Sequence, residues 1–312
     1  MFTARLRDAS AARSGHIPAE PLGYAGSLRQ ARADSPLPPR ARRPDPWGGA
    51  HLAGPVALPP DGPRVSVVIP AKNEARCLPT VLAELPDGLH EVILVDGCSV
   101  DGTAAAALGA RPDVRVISQT RAGKGNALAC GIAACTGEVV VLLDADGSAD
   151  PAEIPAFVAA LVAGADFAKG SRYLRGGGSA DLTLLRRAGN LALAGVMNRL
   201  YRTSFSDLCY GYNAFWRRCT KNLALPETEG REPVFGDGFE IETLIAAHVA
   251  NTGLTVEEVP SYERARLHGA SNLNTWRDGW RVLRAILRER RAGRVGRRGR
   301  PIKAIAAAAR QP

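Results

Sequence analysis

Hydrophobic positions between residues 64 and 290 follow two patterns in turn: short β-branched runs, and longer segments with helical spacing. The short runs predict strands buried on both faces, as in a parallel sheet, at 65–69, 92–95, 114–117, 138–143 and 165–170. The segments between them predict helices at 74–85, 101–109, 124–135 and 151–163. Strand–helix alternation at this spacing predicts right-handed crossovers and an open α/β sheet.

The second half of the chain has a less regular pattern. It predicts helices at 182–201 and 239–250, a strand at 255–259 and a final helix at 276–290. The final helix is predicted to be amphipathic, because Trp276, Trp280, Leu283 and Leu287 recur at helical spacing.

The ends of the chain differ from its middle in composition and charge. Residues 1–62 are rich in Pro, Arg, Ala and Gly without a sustained period, which predicts a disordered tail. We expect one folded domain at 63–290 and a basic tail at 291–312. The net charge is +9, yet the segment 64–287 carries −2, because residues 1–63 carry +3 and residues 288–312 carry +8.

This distribution bears on the partners. A nucleic-acid-binding domain more often carries its positive charge on a folded face, so no nucleic-acid partner is predicted. A polybasic tail gains free energy at an anionic membrane surface, and the tail at 291–312 predicts peripheral membrane contact. The alternative is a merely solvated tail.

Cysteine spacing and the length of apolar runs indicate the compartment. The six cysteines contain no Cys-x-x-Cys pair of the kind found in zinc sites, and they fit reduced thiols that fill small spaces in a core. No stretch reaches the roughly 18 apolar residues of a membrane span. No apolar run between Arg5 and Arg43 could serve as the core of a signal peptide. We expect a cytoplasmic protein, or one held peripherally at the inner membrane face.

Acidic side chains follow several of the predicted strands, and ligands of open α/β sheets bind at the carboxyl ends of strands. The fourth strand ends in Asp144-Ala145-Asp146. Two carboxylates at that position would repel each other and lose hydration unless a cation compensates them. Hard oxygen ligands suit Mg²⁺ or Mn²⁺ shared with phosphate oxygens. The alternative is an ordinary turn, since Asp-x-Asp-Gly is common turn chemistry.

Three further residues could each have either a ligand-binding or a structural role. Asp96 follows the second strand and could bind a ribose or base, or could cap the next turn. Glu74 could face a ligand, or could be a carboxylate favoured by a helix dipole. Lys124 lies in a Gly-Lys-Gly segment before a helix, and could approach a diphosphate or belong to a plain helix-entry turn. The segment lacks the Gly-Lys-Ser/Thr of a P-loop.

Several motifs, in order and spacing, resemble those of inverting family 2 glycosyltransferases of the GT-A fold. The matching stretches are VVIPAKNEA, VDGCSVDGT, GKGNAL, LLDADGSADPAEIP, GADFAKGSRY and SDLCYGYNAFWRR, within about residues 64–275. Within this family the chain is most similar to the transferases that move sugars onto dolichol or polyprenyl phosphate. The resemblance implies a Rossmann-like, mixed but mostly parallel sheet with helices on both faces.

The resemblance also implies roles for individual residues. Pro70, Lys72, Glu74 and Asp96 are expected to line the nucleotide pocket, and Asp144-Ala145-Asp146 to bind the metal–diphosphate unit. Gly170-Ser171-Arg172 is expected to turn toward the acceptor, with Arg172 near a phosphate. The segment RARLHGASNL resembles a family motif in which Arg266 and Ser271 match, whereas Asn272 replaces the frequent lysine. His268 in this loop is either a third metal ligand or a surface histidine.

The expected reaction is in-line displacement at the anomeric carbon of a UDP- or GDP-sugar. Metal-bound Asp144 and Asp146 would help to stabilise the departing nucleoside diphosphate, with added positive charge from Arg266 and Lys124. A lipid-phosphate acceptor is already ionised and needs no base. A small hydroxyl acceptor needs one, and the base candidates are Asp207, Asp237 and Glu240.

Two other classes of protein fit the residues less well. A sugar-phosphate nucleotidyltransferase would carry a glycine-rich segment directly after the first strand, where this chain has Pro-Ala-Lys-Asn-Glu. A non-catalytic lipid- or nucleic-acid-binding protein would not need the set of acids at the strand ends. Both readings are less consistent with the residues than a metal-dependent glycosyltransferase.

Overall fold

The computed structural model describes residues 58–269 and 275–292, and the side chains of 275–278 are not described. The predicted tails therefore lie almost entirely outside the described residues. Ser271, Asn272 and the side chain of Trp276 lie outside them as well.

The described residues form two sheets. In chain order their strands are β1 (Val65–Ala71), β2 (Glu91–Asp96), β3 (Arg115–Ser118), β4 (Val139–Leu142), β5 (Phe167–Ser171), β6 (Gly178–Ser179), β7 (Asn213–Trp216), β8 (Val256–Pro260) and β9 (Tyr262–Glu263). The main sheet has the order β3-β2-β1-β4-β7-β5-β8, and β6 pairs with β9. The five strands predicted in the first half and the strand at 255–259 are confirmed, with ends shifted by a few residues.

Strand β7 was not predicted from the sequence. It lies between β4 and β5 and runs antiparallel to both, whereas the other neighbouring pairs of the main sheet are parallel. Four residues are too few to show a clear period, so the pattern around Asn213 gave no strand signal. The expected mixed, mostly parallel sheet is confirmed.

The helices cover both faces of the main sheet. They are α1 (Leu78–Ala83), α2 (Thr103–Ala110), α3 (Lys124–Ala134), α4 (Ile154–Val162), α5 (Leu184–Tyr201), α6 (Ile241–Thr252) and α7 (Thr275–Ala292). Helix α1 begins four residues later than predicted, because the N–H groups of Glu74 and Ala75 are bonded to side chains of residues 103 and 101 instead of entering a helix. A short 3-10 turn at Pro151–Glu153 precedes α4.

Two hydrophobic cores lie on opposite faces of the sheet. Along β1, Val67 and Ile69 point into the core shared with α1, α2 and α4, while Val68 points into the core shared with α3, α5, α6 and α7. A fully buried aliphatic side chain of this kind contributes about 1.5–3 kcal/mol. The two-sided burial explains why the strands read as continuous apolar runs. No helix within the described ranges has both the length and the apolar character of a bilayer-spanning segment.

We predict that Gly131→Ala destabilises the protein by about 1–3 kcal/mol, because overpacking a close helix–sheet contact forces neighbours to move. A Cβ at Gly131 in α3 would lie 2.3 Å from a methyl carbon of Val68 and 2.9 Å from one of Val95. Urea unfolding measures the change. The matched control is Gly195→Ala in α5, where a Cβ meets open space, and it should stabilise by about 0.5–1 kcal/mol. Equal effects of the two substitutions would contradict the packing.

Candidate active site

A cleft of about 900 Å³ lies at the carboxyl ends of β1 and β4. Parallel strands bring their carboxyl ends to one edge of the sheet, so the residues that follow them share this cleft. The predicted site residues that line it are Pro70, Lys72, Glu74, Lys124, Asp144, Ala145, Asp146, Glu240, Arg266 and His268. Arg172 lines it as well.

The carboxylates of Asp144 and Asp146 are each paired with a cation from another part of the chain. Lys124 Nζ, at the first position of α3, lies 2.7 Å from Asp144 Oδ1. Arg266, after β9, places its guanidinium 2.7 Å from Asp146 Oδ2. The other oxygen of Asp146 accepts the backbone N–H of Ser148 at 2.9 Å. The negative charge of the two carboxylates at this strand end is therefore balanced by two basic side chains.

Lys124 joins two elements through its ammonium group. Besides Asp144 it contacts Glu242 Oε1, in the first turn of α6, at 2.6 Å. Burial alone lowers the pKa of Lys124, but the two carboxylates outweigh it and raise the pKa above its ordinary value. The ammonium form is thus held at the base of the cleft.

Glu74 lies at the other side of the same cluster. Its carboxylate is 4.0 Å from the Arg266 guanidinium. Burial is the main cause that raises the pKa of Glu74, and the nearby charge of Asp146 raises it further. Arg266 therefore faces two acids, one from the end of β1 and one from the end of β4.

The segment after β9 is held over the turn that follows β4 by backbone hydrogen bonds. The N–H of Arg264 donates to the carbonyl of Ser148 at 2.7 Å, and the N–H of Leu267 donates to the carbonyl of Asp146 at 3.1 Å. Gly147 has φ +76°, and a Cβ there would lie 2.5 Å from the Leu267 side chain. The Gly that continues the Asp-x-Asp segment therefore permits this close approach, which positions Arg266 in the cleft.

The glycines around Lys124 serve a contact between backbones. A Cβ at Gly125 would lie 1.7 Å from the carbonyl oxygen of Gly236, and the Gly125 N–H donates to the carbonyl of Asp237 at 2.7 Å. Arg121 fixes the same junction from its side chain, with its Nε and Nη2 atoms 2.8 and 2.9 Å from the Asp237 carboxylate. Of the two readings of this segment, close chain packing at the entry to α3 accounts for the glycines.

Asp237 is buried in this ion pair and is absent from the residues that line the cleft. Burial raises the pKa of Asp237. The hydrogen bonds that it accepts from Arg121 and from the Val234 N–H, together with the positive charge of Arg121, outweigh burial and hold the pKa below its ordinary value. A carboxylate with a lowered pKa and both oxygens engaged is a weak base. Its position does not support the predicted role as a general base.

Asp207, like Asp237, is a buried carboxylate paired with an arginine. It is fully buried and accepts a two-pronged contact from Arg172 at 2.7 and 3.0 Å, together with the Asn190 side-chain amide at 3.1 Å. The same guanidinium reaches Glu263 at 3.0 Å. Asp207 thus orients Arg172, which lines the cleft together with Asn190 and Glu263.

The remaining predicted residues have simpler surroundings. Lys72 and His268 are exposed at the cleft, and Glu240 lines it while accepting the N–H of Gly236 at 3.2 Å. Asp96 is not among the lining residues, and its carboxylate accepts the N–H of Ser99 at 3.2 Å. Of the two readings of Asp96, the turn cap is the one whose contact is present.

Glu242 and Arg121 were missed in the sequence. A signal for Glu242 exists: it is an acid in the first turn of a helix whose neighbours Ile241 and Leu244 are buried, and such an acid needs a cation partner. Arg121 has no comparable signal, because its partner is more than a hundred residues away in the chain.

The donor chemistry at the strand end fits a divalent cation. Asp144 and Asp146 offer hard carboxylate oxygens at the surface of the cleft, as Mg²⁺ and Mn²⁺ prefer. Within the described ranges no group of three or more His, Cys, Asp or Glu side chains is placed to hold a metal ion, and the role of His268 as a third ligand stays a prediction. Phosphate-transferring sites often bind Mg²⁺ by one or two carboxylates, with substrate phosphates as further ligands.

Residues 66–222 match the family model described as Glycosyl transferase family 2. The match covers half of the chain and includes the strand-end acids Glu74, Asp144 and Asp146. The chain belongs to this family. The resemblance noted in its motifs is thereby confirmed.

Individual relatives agree with the assignment. An uncharacterized glycosyltransferase of Mycobacterium bovis is 42% identical over 111 residues, which cover 36% of this chain and 50% of the relative, so the match spans only half of that protein. The polyprenol monophosphomannose synthase of Mycolicibacterium smegmatis is 32% identical over 225 residues, which cover 68% of this chain and 81% of the relative.

Among solved structures, the glucosyl-3-phosphoglycerate synthase of Mycobacterium tuberculosis is similar. Its crystal structure with Mn²⁺, uridine diphosphate and glucosyl-3-phosphoglycerate superposes with a TM-score of 0.55 at 25% identity, covering 73% of this chain and 80% of that one. The GT-A-like architecture expected from the motifs is confirmed.

A partly buried glutamate supports the segment that carries Arg266. Glu153, just before α4, accepts the hydroxyl of Ser261 at 2.5 Å and the N–H of Tyr262 at 3.0 Å. Burial raises the pKa of Glu153 to about 7. The turn between β8 and β9 thus depends on a carboxyl group that titrates near neutrality.

We predict that Glu153 makes stability depend on pH between about 4.5 and 7, the ordinary and the raised pKa of this group. The folded state holds the proton more tightly than the unfolded state, so this contribution is complete at low pH and is lost as pH rises through 7. Unfolding free energies measured across this range should fall more steeply for the parent than for Glu153→Gln. Glu232→Gln, at an exposed position, is the control. Parallel curves for the parent and Glu153→Gln would contradict the prediction.

Proposed function

We propose that this chain is an inverting, metal-dependent glycosyltransferase that moves a sugar from a nucleotide-diphosphate sugar onto a polyprenyl phosphate. The observation that carries the proposal is the pair Asp144 and Asp146 at the end of β4, which line the cleft and face Lys124 and Arg266. Family membership and the relative that acts on polyprenol support the donor and acceptor classes. The nucleotide is UDP or GDP in this proposal.

In the proposed mechanism, the residues of the cleft position the donor for in-line attack. Pro70, Lys72 and Glu74 line the cleft, and in this proposal they contact the nucleotide. Asp144 and Asp146 would hold Mg²⁺ or Mn²⁺, which when bound acts as a Lewis acid on the departing diphosphate. Arg266 adds a positive charge beside the same group, where preorganised donors favour developing negative charge.

The acceptor side is assigned to Arg172. Arg172 lines the cleft with a side chain that is 7% exposed, and Asp207 and Glu263 fix the orientation of its guanidinium. A planar guanidinium held in this way suits recognition of a phosphate. Asp207 and Asp237 are positioning residues in this proposal, the first for Arg172 and the second for the entry to α3.

A hydroxyl acceptor is the second candidate, and Glu240 favours it. Glu240 lines the cleft, and within the described ranges its carboxylate has one hydrogen-bonded contact, the N–H of Gly236, so it is a usable base. The solved neighbour was crystallised with glucosyl-3-phosphoglycerate, a sugar on a small acid. The two acceptor classes differ in their need for this base.

We predict that Asp146→Asn reduces metal-dependent nucleotide affinity by about 10- to 100-fold, because one of two carboxylate ligands is lost. Thermal stabilisation by UDP, GDP and their sugars, with Mn²⁺ and with a chelator, measures the binding. Transfer to decaprenyl phosphate is measured in parallel by mass spectrometry.

Asp113→Asn is the matched control, since Asp113 is exposed and pairs with Arg111 away from the cleft. It should leave both readouts unchanged. Intact metal-supported binding and transfer in Asp146→Asn would refute the proposed site.

We predict that Glu240→Gln keeps kcat with a polyprenyl-phosphate acceptor within about tenfold of the parent, because an ionised phosphate needs no proton removed. With a hydroxyl acceptor, loss of a general base costs about 10²- to 10⁴-fold. The measurement is kcat against pH for each acceptor, with 3-phosphoglycerate as the hydroxyl compound. A large loss in transfer to polyprenyl phosphate would contradict the assigned acceptor chemistry.

A further inference from the structure

We propose that Glu242 is a positioning residue of the donor site, which holds the Lys124 ammonium so that Asp144 can bind a divalent cation. The inference rests on the proposed function, in which Asp144 and Asp146 hold Mg²⁺ or Mn²⁺. Glu242 lies in α6, beyond the residues 66–222 that match the family model. It gives a reason why a lysine lies against a carboxylate that is expected to bind metal.

The Lys124 ammonium lies between two carboxylates. Its Nζ atom is 2.7 Å from Oδ1 and 3.0 Å from Oδ2 of Asp144, and 2.6 Å from Oε1 of Glu242. Both oxygens of Asp144 therefore contact this one cation. A divalent cation prefers the same hard carboxylate oxygens. Since two cations on one carboxylate repel each other, the lysine and a metal ion compete for Asp144.

The two carboxylates differ in their exposure to water. The side chain of Asp144 is 34% exposed, whereas those of Glu242 and Lys124 are 12% and 15% exposed. Opposite charges attract more strongly where less water surrounds them. The contact between Lys124 and Glu242 is therefore the less screened of the two, and Asp144 is the partner more open to ions in the cleft.

Local structure fixes the position of Glu242. It is the second residue of α6, where the positive end of the helix dipole favours a carboxylate. Its neighbours Ile241 and Thr243 are buried and anchor this first turn. Gly211 lies against the ion pair, because a Cβ there would be 2.5 Å from Glu242 Oε1 and 3.1 Å from Lys124 Nζ. The absence of a side chain at Gly211 thus leaves room for the pair.

Glu242 gives the ammonium a second partner when a cation binds Asp144. Without Glu242, a cation that took Asp144 would leave Lys124 without a counter-charge in a partly dehydrated wall of the cleft. The free energy of that uncompensated charge would weaken metal binding. With Glu242 in place, the ammonium stays in the cleft, where the proposed function needs positive charge beside the diphosphate.

Two simpler roles of Glu242 lead to different results. A structural link between α3 and α6 would affect the stability of the fold and not the affinity of the folded protein for a metal ion. A negative charge that attracts the cation through space would strengthen metal binding whether or not Lys124 is present. The proposal requires that the effect of Glu242 on the metal depends on Lys124.

The test measures Mn²⁺ binding to the full chain by electron paramagnetic resonance, without nucleotide. Glu242→Gln should bind Mn²⁺ about tenfold more weakly than the parent, because Lys124 then stays on Asp144. Lys124→Met should bind Mn²⁺ more tightly than the parent, because the competing cation is gone. The double variant Lys124→Met/Glu242→Gln should bind Mn²⁺ like Lys124→Met.

Glu240→Gln is the matched control for charge. It removes one carboxylate from the same cleft, two residues away from Glu242, and Glu240 contacts the N–H of Gly236. Its affinity for Mn²⁺ should be that of the parent. Thermal unfolding of each variant without metal checks the fold. If Glu242→Gln alone does not fold, the comparison of Lys124→Met with the double variant still tests the proposal.

Several results would overturn the proposal. They are parent-like Mn²⁺ binding by Glu242→Gln, equal weakening by Glu240→Gln and Glu242→Gln, and weaker binding by the double variant than by Lys124→Met. Failure of the parent to bind Mn²⁺ without nucleotide would also overturn it, yet would leave the proposed function, in which the diphosphate supplies further ligands. Failure to bind Mn²⁺ even with UDP or GDP would refute the proposed function as well.

Discussion

The structure of the cleft depends on charge compensation at the carboxyl end of β4. Asp144 and Asp146 are placed side by side by the strand, and each needs a counter-charge. The two cations come from distant parts of the chain, Lys124 from the start of α3 and Arg266 from the segment after β9. Both pairs are partly buried, so removing one partner would leave an uncompensated charge in a partly dehydrated cleft wall. The ion pairs therefore tie three segments into one cleft wall.

Two buried arginine–aspartate pairs brace the cleft at its sides. Arg121 with Asp237 fixes the entry to α3, and Arg172 with Asp207 fixes the guanidinium that faces the cleft. Both aspartates are candidates for the general base in the sequence, yet both carboxylates are occupied by arginine. An acid in a functional motif can thus act on the chemistry by orienting another residue.

Much of the fold was predictable from the sequence because burial on two faces gives strands an unmistakable apolar run. The strand ends followed directly, and with them Glu74, Asp144 and Asp146 at one edge. Strand β7 was not predictable, since a four-residue strand has no visible period and its antiparallel direction depends on tertiary contacts. The arginine partners of Asp207 and Asp237 could not be predicted for a related reason. The residue type shows that a carboxylate carries charge, but not which distant side chain neutralises it.

The position of β7 has a consequence for how the chain folds. The strands β1 to β4 can pair as soon as they have left the ribosome, because their contacts are comparatively near in sequence. Strand β5 then has no neighbour until Asn213–Trp216 arrives to bridge it to β4. A nascent chain that stops between the two would expose an unpaired edge, and such edges favour wrong association. Completion of the sheet during synthesis is therefore set by a strand that follows β5 by some forty residues.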